Sequence, residues 1–260
     1  MKITVVTANY NGGRWLGRCM DSVLGQELPA GDELEYVFVD GGSGDESMEI
    51  AEARRGRLAA IVSERDEGPA DALNKGFRLA TGDLVGWLNS DDVYRPGALA
   101  AALGAAKAHP GAGLYFGKCR IVDGEGKEIR GFPTWVKNAC FPFSCRFLIQ
   151  CINYVSQPAS WFRRAALAAA GGLRTDYKAA WDYDLTLRLW RQGGGVRIGG
   201  GALADFQWHA GSISGTHYER QFREEWEAAA ADAGRWSPQA GIHWLVRYGI
   251  VGCYRVMNRG

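Results

Sequence analysis

Four short apolar runs within residues 1–92 each lead to an acidic or small polar side chain, and this recurrence constrains the fold more than any other feature. Residues 3–7 lead to Asn9, residues 36–39 to Asp40, residues 60–63 to Asp66, and residues 84–88 to Asp91 and Asp92. Each run is short and rich in aliphatic residues, as buried strands are. Helical spacing fills the gaps between them. Leu16, Met20, Val23 and Leu24 mark one helix, residues 45–57 read as an exposed one, and Pro69 opens a third with a stripe of Ala70, Leu73, Phe77 and Ala80. Alternating strands and helices imply a mostly parallel sheet covered on both faces. In such sheets ligands bind outside the carboxyl ends of the strands. A single Asp there is an ordinary helix cap. Four consecutive strands ending this way are harder to explain as caps.

The pattern changes after an Ala-rich helix that begins near Pro96. Residues 114–122 and 127–131 flank Asp123-Gly124-Glu125-Gly126, a hairpin signal. Residues 132–156 are aromatic, contain cysteine and read as an irregular binding wall. Residues 165–170 form a short helix, residues 183–190 a second with Asp182 at its start, and residues 193–201 a glycine-rich turn and strand. Residues 219–233 are helical and charged. Residues 244–257 are basic and amphipathic, suited either to a membrane surface or to packing on the domain. The expected division is 1–112, 113–215 and a helical tail over 216–260.

Composition narrows the function classes. The formal net charge is +1, so no broad positive field favours nucleic acid. Six cysteines show no CxxC pair and no zinc-like grouping, which fits a reduced cytoplasmic chain. No apolar run reaches the ~18 residues a bilayer span needs, and the start of the chain reads as a strand, with no signal peptide. A dinucleotide GxGxxG, a phosphate-binding GxxxxGK[ST] and a GxSxG elbow are all missing from the sequence.

What remains is carboxylate chemistry. Mg²⁺ often holds substrate phosphates through only one or two carboxylates, so Asp91-Asp92 points to a metal-bound diphosphate. Thr7-Ala8-Asn9-Tyr10-Asn11, Val39-Asp40-Gly41-Gly42-Ser43-Gly44-Asp45, the segment from Ser63 to Gly76, and Leu88-Asn89-Ser90-Asp91-Asp92 together resemble family 2 glycosyltransferases of the GT-A fold. The resemblance is firm to about residue 110 and weaker to about 215. It implies an α/β fold with a GT-A-like, Rossmann-related mixed sheet flanked by helices and followed by the helical C-terminal tail. It also implies an inverting enzyme that uses a nucleotide-diphosphate sugar with Mn²⁺ or Mg²⁺.

Carried over position by position, Thr7, Asn9, Asp40 and Asp66 would hold base and ribose, with Lys75 near the nucleotide. Asp91 would contact ribose or metal, and Asp92 would be the principal metal ligand. Asn89 departs from the family, which often has Asp there. Gln157 would line the donor sugar. His209, in Trp208-His209-Ala210-Gly211-Ser212, would complete the metal site, with His217 as its rival. The base that takes the acceptor hydroxyl's proton would be Asp182, with Asp184 as competitor; capping the following helix is its structural alternative.

The expected reaction moves a hexosyl residue, from a UDP-sugar by preference, to a glycan or lipid-linked acceptor. Its expected setting is the cytoplasm or the inner face of the cytoplasmic membrane, with peripheral contact through 244–257. Two other classes stay open: a sugar-phosphate nucleotidyltransferase, and a non-catalytic nucleotide-sugar-binding or scaffold protein.

Overall fold

The computed structural model describes residues 1–129, 131–209, 211 and 218–257; His217 lies outside them. The first half follows the expected alternation. Strands β1 (Lys2–Asn9), β2 (Glu33–Asp40), β3 (Ala60–Ser63) and β4 (Leu84–Trp87) are joined by helices α1 (Gly13–Leu24), α2 (Ser47–Glu52) and α3 (Pro69–Leu79). These strands are parallel in the order β3-β2-β1-β4. Helices cover both faces, so the strands read as continuous apolar runs. Val6, Val37 and Val39 point to one core and Ile3, Val5, Tyr36 and Phe38 to the other, with Leu16, Met20 and Val23 of α1 filling the second. α3 lies so close to β1 that a Cβ on Gly76 would overlap a Val6 methyl. The helix expected over 45–57 is shorter, because α2 stops at Glu52 and Arg55–Arg57 forms a separate 3-10 turn.

The sheet continues beyond β4. Along the chain come β5 (Val93–Tyr94), α4 (Ala98–Ala108), β6 (Leu114–Val122), α5 (Gly131–Cys140), α6 (Arg146–Cys151), β7 (Ser160–Arg163), α7 (Arg164–Ala170), α8 (Trp181–Trp190) and β8 (Gly195–Gln207). The sheet order is β3-β2-β1-β4-β7-β6-β8-β5. β7 runs antiparallel to β4 and β6, and β5 antiparallel to β8. Among the described residues the hairpin expected after β6 closes with a single bridge, Val122 to Glu128, around the Asp123 turn. Residues 132–156 are not irregular: α5 and α6 occupy much of the span. α6 buries Ile149, Gln150 and Cys151, and besides α8 its packing partners lie in the tail. Those partners are α9 (Tyr218–Ala233) and α10 (Pro238–Met257), which pack on each other, while α9 also contacts α8. No helix among the described residues is long and apolar enough to cross a membrane.

Candidate active site

The carboxyl ends of β1 to β4 open onto a cavity of about 1730 Å³. Asn9, Asp66, Asp91, Gln157, Asp182 and His209 line it, while Thr7, Asp40, Lys75 and Asp92 do not. β1 runs on to Asn9, which leaves Thr7 inside the strand, buried, with its hydroxyl 2.9 Å from Tyr36 Oη. Direct donor contact therefore does not fit Thr7.

The register sets Asn9 beside Asp40 and Asp40 beside Ser63. Asp40 is fully buried and accepts hydrogen bonds from Asn9 Nδ2, Ser43 Oγ, Ser63 Oγ and the backbone N–H groups of Gly42 and Ser43. Burial opposes its charge, but these donors outweigh burial and hold its carboxyl below the usual range. Asp40 shapes the loop after β2; its oxygens are already occupied by protein donors. Asn9 Oδ1, by contrast, is buried without a hydrogen-bond partner and borders the cavity. Among the described residues it is an unsatisfied acceptor packed against Gly12. Asp66 is held by the Gly68 N–H at 2.8 Å. Lys75 braces the same loop through Arg65 O at 3.0 Å and Glu64 at 2.9 Å, away from the cavity.

The Asp91 side of the cavity is built by the far edge of the sheet. β5 pairs with β8 so that Val93 faces Asp205, and the chain leaving β8 returns His209 to Asp91. His209 Nε2 lies 3.1 Å from Asp91 Oδ2, and the carboxylate beside it holds the imidazole above its ordinary pKa. Trp15 stacks on His209 at 6.0 Å between ring centroids, with the Arg14 guanidinium 4.4 Å from the Trp15 ring.

Asp92 is oriented differently. Its Oδ1 accepts the Gln207 N–H at 3.0 Å and its Oδ2 the Asn89 amide at 3.2 Å, with no exposed surface. Burial, then Asp91, push its carboxyl well above the usual range. The principal-ligand expectation thus fits Asp91 better than Asp92. Asn89 is explained too: its amide also donates to Gln157 Oε1 at 3.2 Å, and a third carboxylate here would face two acceptors.

Among the described residues no three His, Cys, Asp or Glu side chains gather into a metal cage. One carboxylate and one imidazole at an open cavity wall still fit a cation that draws its other ligands from a diphosphate and water.

The opposite end is built by α8 and the tail. Asp182 sits in the first turn of α8, half-buried, and its Oδ1 accepts the Tyr183 N–H at 2.8 Å. Burial, then the charge of Glu225, raise its pKa to about 6, with Lys137 opposing. Asp184 lies off the cavity and is paired with Arg188 at 2.6 Å. The structure separates two residues that the sequence could not.

α8 starts at Trp181 and its N-cap residue Ala180 has no side-chain cap, so Asp182 lies inside the first turn and the segment leading into the helix is held from the tail instead. Glu224 Oε2 accepts the backbone N–H groups of Lys178, Ala179 and Ala180 at 2.9, 2.8 and 3.1 Å. Its neighbour Glu225 lines the cavity, is buried, and accepts from Asn153 at 3.2 Å and Gln221 at 3.1 Å. Sequence reasoning missed Glu224 and Glu225, since nothing local distinguishes them from the surface acids of a charged helix. It also missed Trp15 and Arg65, which line the cavity.

The family model for glycosyl transferase family 2 matches residues 4–171. An uncharacterized glycosyltransferase of Mycobacterium tuberculosis is 31% identical over 189 residues, covering 72% of this chain and 68% of that protein. A second, from Nostoc, is 34% identical over 133 residues, covering 50% of this chain; the chain spans only 40% of that relative's length. The O-antigen biosynthesis protein RfbC of Myxococcus xanthus is 30% identical over 72% of this chain, which spans 14% of it. Among solved structures, Staphylococcus aureus TarS in complex with UDP-GlcNAc superposes with a TM-score of 0.72 at 21% identity, covering 93% of this chain and 69% of that one. The mannosyltransferase PcManGT of Pyrobaculum calidifontis, in complex with GDP-Man and Mn²⁺, gives 0.70 at 22%, covering 95% and 69%. The fold is shared with both.

Proposed function

This chain belongs to glycosyl transferase family 2, and from that premise we propose that it transfers a hexosyl residue, with inversion, from a nucleotide-diphosphate sugar to a glycan or lipid-linked acceptor. One observation carries the reading: a single cavity joins the Asp91–His209 pair at one end to the raised-pKa Asp182 at the other. Residues 1–112 would serve the donor. Asn9 and Asp66 would meet base and ribose, and Gln157 the sugar. Residues 113–215, together with the tail, would serve the acceptor.

Asp91 and His209 would hold the Mn²⁺ or Mg²⁺, whose charge stabilises the departing diphosphate. Asp182 would take the proton of the attacking hydroxyl, and a carboxylate with a pKa near 6 combines a useful ionised fraction at neutral pH with proton affinity above that of an ordinary Asp. UDP-sugars are the favoured donors, since TarS is complexed with UDP-GlcNAc, although PcManGT is complexed with GDP-Man. Surface-polysaccharide assembly at the inner face of the cytoplasmic membrane is the proposed setting, supported by the relative named for O-antigen biosynthesis.

The test is a thermal-shift screen of UDP and GDP with and without Mn²⁺, followed by sugar release from the matching donor. Metal-dependent stabilisation by one nucleotide is expected. Nucleotide binding without sugar transfer to any member of a broad acceptor panel, or to water, would instead favour the scaffold reading.

A further inference from the structure

α10 has two unlike faces. Its inner face is tied to the domain: His243 is buried with Nδ1 3.0 Å from Gln150 O, and Trp226 Nε1 donates to Ala240 O at 3.2 Å. Val246, Arg247 and Ile250 on this side border the cavity at its Asp182 end. The outer face is a stripe at helical spacing, Gly241, Trp244, Leu245, Tyr248 and Gly252, all exposed. Trp244, Leu245 and Tyr248 are 43%, 64% and 56% exposed. The Trp244 and Tyr248 rings meet at 4.5 Å, and the Arg247 guanidinium lies 5.6 Å from the Tyr248 ring. After Asp232 the sequence holds Arg235, Arg247, Arg255 and Arg259 and no Asp or Glu.

We propose that the outer face of α10 docks on an anionic lipid bilayer, lying in its interface so that a lipid-linked acceptor reaches the cavity along the helix's inner face. Charge complementarity selects this occupant. A cationic, acid-free segment with Trp and Tyr at its exposed surface matches the headgroup region, where aromatic rings settle and Arg side chains are drawn to an anionic surface. The helix lies on the bilayer and does not span it. The sequence left packing and membrane contact as alternatives for this segment; its two faces allow both. The acceptor's route rests on the glycosyl-transfer reading, whereas the docking itself does not.

The experiment is co-sedimentation of the full chain with vesicles of phosphatidylcholine alone and with vesicles containing phosphatidylglycerol, at low and high salt. Binding is expected only to the anionic vesicles and should weaken with salt. The triple variant Trp244→Ala, Leu245→Ala, Tyr248→Ala should reduce binding by about tenfold or more, while its far-ultraviolet circular dichroism stays unchanged. The single exposed substitution Leu245→Glu should act in the same direction and guards against a folding artefact in the triple. Wild-type protein that ignores anionic vesicles, or variants that bind as well as wild type, would overturn the proposal. So would a wild-type dimer in sedimentation velocity that Leu245→Glu converts to monomer, since the face would then belong to a second copy. Nucleotide-induced thermal shifts, read in parallel, report on the glycosyl-transfer reading separately.

Discussion

Glu224 Oε2 accepts the Ala179 N–H at 2.8 Å and so ties the tail helix α9 to the start of the helix that carries Asp182. The same oxygen holds the N–H groups of Lys178 and Ala180. These are the backbone donors of the segment that leads into α8, and buried N–H groups need an acceptor. Glu224→Ala should cost about 2 kcal/mol or more, because buried N–H groups lose a charged partner. Urea unfolding measures this. Glu224→Gln keeps an acceptor oxygen and should recover part of the loss. If this brace also orients Asp182, the Ala variant will lose kcat while its nucleotide-induced thermal shift persists.

The Asp182 carboxyl has a pKa of about 6, raised first by burial and then by Glu225. As the proton acceptor it must be ionised, so turnover should rise through about pH 6 to a plateau. Glu225→Gln removes a facing negative charge and should move that limb to lower pH; Lys137→Met removes the opposing cation and should move it higher. A limb that stays fixed in both variants would show that Asp182 does not set it. Stability follows the opposite sign. A pKa raised in the folded state favours the protonated form, so this contribution is complete below the unfolded value near 4 and is lost as pH rises through about 6. Asp182→Asn should therefore be more stable than wild type at pH 8, by about 2 kcal/mol, while losing transfer.

Asp91 and Asp92 are adjacent in sequence but divided by burial, and their variants should differ in kind. Asp91→Asn removes a carboxylate at the cavity wall and should abolish the extra thermal shift that Mn²⁺ gives to nucleotide, with little change in the metal-free protein. His209→Ala should weaken the same shift. Asp92→Asn turns an amide toward the Asn89 amide it now accepts from, and should cost about 1–3 kcal/mol of stability whether or not metal is present. Equal metal effects in the Asp91 and Asp92 variants would restore the assignment that sequence alone suggested.

Much of the donor side was legible because each parallel strand announces itself locally. An aliphatic run followed by Asn9, Asp40, Asp66 or Asp91 needs no long-range information to be placed at a carboxyl end. Which of these residues face the ligand was less legible. Thr7 and Asn9 lie two apart within one strand, yet Thr7 is taken by Tyr36 while Asn9 borders the cavity. Asp40 reads as a ligand contact until its five protein donors are seen. The acceptor side depends on contacts of long sequence separation. Glu224 meets Ala180 across 44 residues, and the α6 pattern makes sense only once α9 and α10 cover it. No periodicity in a charged helix marks which acid turns inward.

Gly41 offers a test of Asp66 that leaves Asp66 itself in place. A Cβ on Gly41 would overlap Asp66 Oδ2, and the three nearest atoms it would meet all belong to that side chain. Gly41 is not among the glycines with positive φ, so Ala is allowed by the backbone. A short side chain that borders an open cavity can rotate aside, so Gly41→Ala should change the unfolding free energy by less than about 1 kcal/mol. The displaced carboxylate would no longer meet the base or ribose, and losing a charged hydrogen bond should weaken nucleotide binding by about tenfold. Titration calorimetry with the nucleotide that gives the largest thermal shift reads this directly. Unchanged affinity in Gly41→Ala would remove Asp66 from the donor site and leave Asn9 as the principal polar contact on this wall.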